Sequence, residues 1–263
     1  MRARYSFFVL FVLFFAACAP SNTERAQSLV DEAQQLAKDG LWRQARIIID
    51  SVHSTYPKEV TQRRVAKALA DSITRLEAQV TIAYTDSMLL PLLEQADALL
   101  KQFKYEKNEG YEDHGRYVHR LLTTNSNTSR NFLQAYVRDD RKTIVKSYYF
   151  GSFAVKQQSI TLSANDEEYL FSGSNHSFEA EGWHEIMTLE DDNALSLLNM
   201  ISANMNNRIR VKGSGEKPNH TWVYYLTDQE KEALSKTYQL GWLMKDIKRL
   251  EEIQQASYRQ LMQ

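Results

Sequence analysis

The apolar residues of this chain change period along its length, and that change decides what the chain can build. Up to about residue 105 they recur every three or four positions. From Asn131 they alternate by two, and after Thr227 the three-four spacing returns. The first period puts side chains on one face of a helix, the second on one face of a strand. The expected class is therefore α+β: an N-terminal helical hairpin and long helix, an antiparallel β-rich domain, and a long C-terminal helix packing back on the helical stalk. Scarce glycine and proline, nine and four in 263 residues, agree with long helices.

Ser21 and Glu24 make a capping box that opens the first helix, with Leu29, Ala33, Leu36 and Ala37 on its apolar face. Lys38-Asp39-Gly40 is a turn. Trp42, Ala45, Ile48, Ile49 and Val52 form the face of a second helix, which stops before Tyr56-Pro57 because a residue preceding proline avoids the helical region. The hairpin resembles a single tetratricopeptide repeat: Ala33, Gly40, Trp42, Ala45, Ile49, Val52 and Pro57 stand at its small, turn-glycine, aromatic, small, large, small and terminal-proline positions. One repeat step later only Pro91 fits, and repeat arrays need about three copies to stack a groove. From Thr61 one long helix is expected, with Ala66, Leu69, Ile73, Leu76, Val80 and Ala83 as a coiled-coil-like seam. Pro91 should kink or restart it.

Residues 106–129 read as a polar connector, with one short helix around Arg116 to Leu122. The β-rich domain then covers 130–227. Strands are expected at Phe132 to Arg138, Thr143 to Phe150, Ser159 to Ser163, Tyr169 to Ser172, Phe178 to Gly182, His184 to Thr188, Arg208 to Lys212 and Thr221 to Leu226, the last two turning at Gly213-Ser214-Gly215. A helix opening at Thr188-Leu189-Glu190-Asp191 is inserted before that hairpin. Thr227-Asp228-Gln229-Glu230 is a second capping box and starts the C-terminal helix, 228–263, whose seam is Leu240, Leu243, Ile247 and Leu250. The Ala66–Ala83 seam is its expected partner, or either seam pairs with its own copy.

The chain has one cysteine, Cys18, at the end of Phe15-Ala16-Ala17-Cys18. Arg2 and Arg4 and an apolar run from Tyr5 to Phe15 precede it. A basic start, a short apolar core and small residues make a secretory signal over 1–17. The run is about half of the ~20 residues that a membrane-spanning helix needs. The segment resembles a bacterial lipoprotein signal, which implies lipidation of Cys18, an extracytoplasmic chain and an anchor in the membrane. Ala19 in place of Asp implies, by the same resemblance, an outer-membrane destination, with Ala19 to Thr23 as a tether. The layout of tether, helical stalk and small β-rich domain is similar to envelope lipoproteins of the Bacteroidota type. Asp50-Ser51-Val52, Asp71-Ser72-Ile73 and Asp86-Ser87-Met88 resemble the O-glycan acceptor pattern of that phylum, or are simply solvated helix faces.

A net charge of −1 gives no electrostatic case for nucleic acid. With Cys18 acylated, no thiol is left for a disulfide, a thiolate metal site or a nucleophile. His184-Glu185-Ile186-Met187-Thr188 lacks the second histidine of a zinc protease motif, and there is no phosphate loop or nucleophile elbow. His114 and His119 with Glu112 and Asp113, or His176, Glu179, Glu181 and His184 across a hairpin, can meet a metal only if the fold gathers them. No catalytic residue, cofactor or metal is assigned.

The aromatics are the remaining candidates. Tyr148, Tyr149 and Phe150 crowd one strand, and Trp222, Tyr224 and Tyr225 another. Alternation gives Tyr148 and Phe150 one face and Tyr149 the other; Trp222 and Tyr224 share a face that Tyr225 opposes. They either line a binding surface or fill the core. The expected function is a lipid-anchored, non-enzymatic scaffold that holds a protein partner in the envelope. The alternative is a carbohydrate-binding lipoprotein using these aromatics.

Overall fold

A computed structural model describes residues 20–122 and 130–262; Cys18 and the signal lie outside that set. The chain is α+β, with N-terminal helices, antiparallel sheets in the middle and a long C-terminal helix packing on the long N-terminal one. It divides into two compact units. Among the described residues, one unit holds Pro20 to Ile82 and Ala256 to Met262, and the other lies within Ala83–Gln255. The division falls inside two helices.

The first unit contains α1 (Asn22–Lys38), α2 (Trp42–Thr55) and the start of α3 (Val60–Leu100). The Ser21 hydroxyl accepts from the Glu24 N–H, and the Glu24 carboxylate accepts from the Ser21 N–H at 2.7 Å, completing the capping box. Gly40 takes φ +74° while the Leu41 N–H reaches the Leu36 carbonyl at 2.9 Å, which closes the end of α1 with a left-handed residue. Val30, Ala33, Ala45, Ile49 and Val52 pack with Ala66 and Ile73 of α3. Arg46 ties α2 to α3 through the Glu77 carboxylate at 2.6 Å and the Thr74 hydroxyl at 2.9 Å. The Ala66–Ile73 stripe therefore serves the hairpin, not the C-terminal helix as expected.

In the second unit, a six-stranded antiparallel sheet has the order β1-β2-β3-β4-β8-β7. Its strands are β1 (Phe103–Glu106), β2 (Arg116–His119), β3 (Phe132–Arg138), β4 (Thr143–Gly151), β7 (Ser174–Glu179) and β8 (Trp183–Glu190). A four-stranded sheet has the order β10-β9-β5-β6, from β5 (Gln157–Ala164), β6 (Glu167–Ser172), β9 (Arg210–Gly215) and β10 (Thr221–Tyr225). The expected connector is thus corrected: β1 and β2 extend the sheet beside β3, and only Arg120–Leu122 forms a short 3-10 turn. The Gly213-Ser214-Gly215 turn is also corrected. These residues belong to β9 opposite Thr221 and Trp222, and the chain reverses at Glu216 to His220. Gly213 is there for room: a Cβ on it would lie 2.2 Å from the Trp222 indole.

Leu133, Val145 and Met187 of the first sheet and Ile160, Leu162 and Val211 of the second enclose one core with α4 (Asp191–Ala203) and Leu234 of α5 (Asp228–Leu261). The Thr227–Glu230 capping box forms as expected, with the Glu230 carboxylate 2.8 Å from the Thr227 N–H. Leu240 packs with Phe103 and Val137, and Ile247 and Leu250 pack with Leu89, Leu92 and Ala96 of α3. The fold-back is real, but its partner is the last third of α3. That segment is not interrupted: α3 is continuous through Pro91. Pro91 and Ser87 both face solvent, so water can reach the Ser87 carbonyl that proline leaves without its usual donor. Gly241 lets α5 close on β4, since a Cβ there would meet the Thr143 hydroxyl at 2.4 Å and Leu195 at 2.9 Å.

Candidate functional site

The register separates the candidate aromatics as alternation requires, and most of one set goes inside. Tyr149 and Trp222 are 5% and 6% exposed and lie with ring centroids 6.2 Å apart. Tyr224 packs against the same core, 5.8 Å from Trp222. Burial, with the Glu230 carboxylate close by, holds the Tyr224 phenol well above its ordinary pKa. These three residues join the two sheets and are not a binding surface, which corrects the expectation for them. Tyr225 is exposed on the opposite face, with the Arg208 guanidinium stacked 3.7 Å from its ring centroid.

Tyr148 and Phe150 lie on the other side of the six-stranded sheet. There the structure adds residues that sequence reasoning left apart. Phe132 stacks on Tyr148 at 4.4 Å with the ring planes nearly parallel, and the Tyr148 hydroxyl donates to Gln134 Oε1 at 3.2 Å. Burial pushes the Tyr148 phenol up to about 12. Phe150 meets His184 at 4.9 Å, His184 stacks on Phe178 at 4.8 Å, and His176 follows 6.1 Å beyond. A row of rings thus runs from β4 across β8 to β7. It could not be read earlier, because it depends on the pairings Phe150↔His184 and Phe178↔His184, which are long-range registers.

The row ends at an open edge. Every residue of β7 is exposed, and among the described residues β8 is its one neighbour in the sheet. Natural edge strands are usually blunted by Lys, Pro, bulges or short length. Ser174-Asn175-His176-Ser177-Phe178-Glu179 has no Lys and no Pro, and pairs with β8 without a register shift.

The fold does not gather the two candidate His-acid sets. His176 and His184 share the outer face, and the pleat puts Glu179 on the other. His119 is buried edge-on to Phe103 at 5.2 Å, and its burial lowers the imidazole pKa. His114 instead meets Asp139 at 3.0 Å and Asp140 at 3.8 Å, with ligand atoms within 4.8 Å of one another. The donors around them make this a clasp: Asp139 accepts from the Gly115 N–H at 2.9 Å and the Tyr105 hydroxyl at 3.0 Å, and Arg138 pairs with Asp140 at 2.7 Å. Burial opposes ionisation of Asp139, but these hydrogen bonds together hold its carboxyl below the usual value.

On α5, Trp242 is 47% exposed and stands between two clefts. One, of about 550 Å³, is lined by charges of both signs, among them Arg141, Asp191, Asp192, Lys245 and Glu252. Several are already paired, Lys245 with Asp192 and Arg141 with Glu251 through both terminal guanidinium nitrogens. The sequence signal for Trp242 was available: it lies off the Leu240–Leu250 seam.

Comparison with protein-family models, with curated proteins and with solved structures finds no match to this chain.

Proposed function

We propose that the chain is a lipid-anchored, non-enzymatic protein of the bacterial envelope that holds a protein partner at the open edge of its six-stranded sheet. The observation that carries this reading is β7: six exposed residues, unblunted, flanked by the His176–Phe178–His184–Phe150 row. An extended segment of a partner can add a strand to such an edge, with backbone hydrogen bonds for affinity and alternate side chains seated on the rings for specificity. The signal ending in Cys18 supports the anchor, and several acyl chains at ~0.8 kcal/mol per buried CH₂ hold where one does not. Among the described residues, no helix is long and apolar enough to cross a membrane.

Two measurements test this reading. Cys18→Ala should abolish labelling by a palmitate analogue and stop normal processing; persistent labelling removes the anchor from the proposal. Full-length protein solubilised from envelopes should retain a defined partner that Phe178→Asp releases, by tenfold or more in recovered amount, with the variant's melting temperature unchanged. Equal recovery with wild type and Phe178→Asp removes the edge.

A carbohydrate-binding lipoprotein is the second reading. The core position of Tyr149, Trp222 and Tyr224 takes away the platform first expected for it, but the surroundings of Trp242 favour it.

A further inference from the structure

The second cleft beside Trp242 is a groove of about 590 Å³ between the last turns of α3 and the middle of α5. Such a volume lies within the range of about 300–1,000 Å³ typical of ligand clefts. We propose that it binds a neutral oligosaccharide, with Trp242 as the stacking platform.

The lining carries the argument. Gln95, Gln102 and Gln239 bring three side-chain amides to the walls, and Tyr238 adds a second ring beside Trp242. Asp246 is the one ionic side chain, and it is paired with Arg249 at 3.4 Å. Among the described residues no cation lines the groove, and the Lys236 ammonium beside it is turned to Gln239 Oε1 at 3.5 Å, so the groove offers little to a phosphate, a sulfate or a nucleic-acid backbone. Its aliphatic lining is Ala98, Leu99 and Leu243 alone, shorter than the row of apolar anchors that an amphipathic helix would need.

A pyranose matches this chemistry from both sides. Its axial C–H bonds make a flat apolar face, which rests on the electron-rich face of an indole. Its hydroxyls each donate and accept, and a side-chain amide offers both functions in one plane. The Trp242 ring is steadied by Lys245, whose ammonium lies 5.1 Å from the ring centroid and lines the charged cleft rather than the groove. This site is separate from the β7 edge and rests on none of the same residues.

The test is calorimetric titration of the full chain, in a detergent without a sugar headgroup, with maltohexaose, cellohexaose and chitohexaose, and with a heparin hexasaccharide as the charged comparison. At least one neutral hexamer should bind with a Kd of about 1 mM or tighter, equivalent to about −4 kcal/mol. Trp242→Ala and, independently, Gln239→Ala should each weaken that binding by about tenfold, while Phe178→Asp leaves it unchanged. Both groove residues are exposed, so neither variant threatens the fold. Failure of all three neutral hexamers at about 5 mM, heparin binding more tightly than any of them, or binding that survives both groove variants would overturn the proposal, and none of these outcomes bears on the sheet edge.

Discussion

Ile247→Asp is expected to destabilise the protein by on the order of 3 kcal/mol or more, combining a lost core side chain with an unpaired buried charge. Ile247 is fully buried among Leu89, Ala96 and Leu250, with Leu92, Leu243 and Met244 closing around it. Chemical denaturation with the oligomeric state followed in parallel measures the loss. A seam that instead joined two copies would give a different result: the variant would turn from dimer to monomer and keep wild-type stability as a monomer. That result would sink the intrachain fold-back. Leu243→Ala, at a half-buried position of the same cluster, should cost less, because less side chain is withdrawn from contact there.

The second large effect is expected at Glu185, a fully buried carboxylate in the middle of β8. It fastens the two sheets together. Its oxygens accept from the Lys156 N–H at 2.7 Å and the Gln157 N–H at 2.6 Å, where β5 begins with an irregular register, and from the Asn175 amide at 3.3 Å. Lys156 itself takes φ +55°, a conformation the carboxylate helps to hold. Glu185→Ala leaves these donors facing a cavity. At about 1–3 kcal/mol for each buried donor without a partner, the total cost should be about 3–5 kcal/mol. Glu185→Gln keeps one acceptor oxygen but turns an N–H₂ toward a donor, so an intermediate loss is expected. A change below about 1 kcal/mol for Glu185→Ala, measured by urea denaturation, would show that water replaces the carboxylate and that the sheets do not depend on it.

Several features set by neighbours in sequence were read correctly. Both capping boxes form, because the Ser21–Glu24 and Thr227–Glu230 pairs need only three residues and the first turn of a helix. The strand Phe132–Arg138 has the bounds that its alternation implied, and α2 ends at Thr55 ahead of Pro57. The separation of Tyr148 and Phe150 from Tyr149 also follows from the pleat alone.

What failed or was hidden depends on contacts between distant residues. Residues 103–119 have too little alternation to declare strands, yet Tyr105 pairs with Tyr117 and Val118 with Tyr136, and pairing rather than propensity makes them a sheet. The glycines at 213 and 215 look like a turn, but Gly213 is a gap cut to receive Trp222 from the next strand. Pro91 looks like a break, but apolar contacts of Leu89, Leu92 and Ala96 with α5 hold the helix on both sides of it.

The same distinction applies to function. Sequence by itself determined the α+β order, the two helix starts, which faces of the strands are apolar, and the single cysteine with its signal-like approach. Only tertiary structure decided that α5 packs on the last third of α3, that Tyr149, Trp222 and Tyr224 are core while Phe150, His184 and Phe178 form a row leading to an open edge, and that Trp242 stands over a groove. The reason is physical: period and capping act over a few residues, whereas register, burial and concavity come from pairings across the chain that the free energy of the whole fold selects.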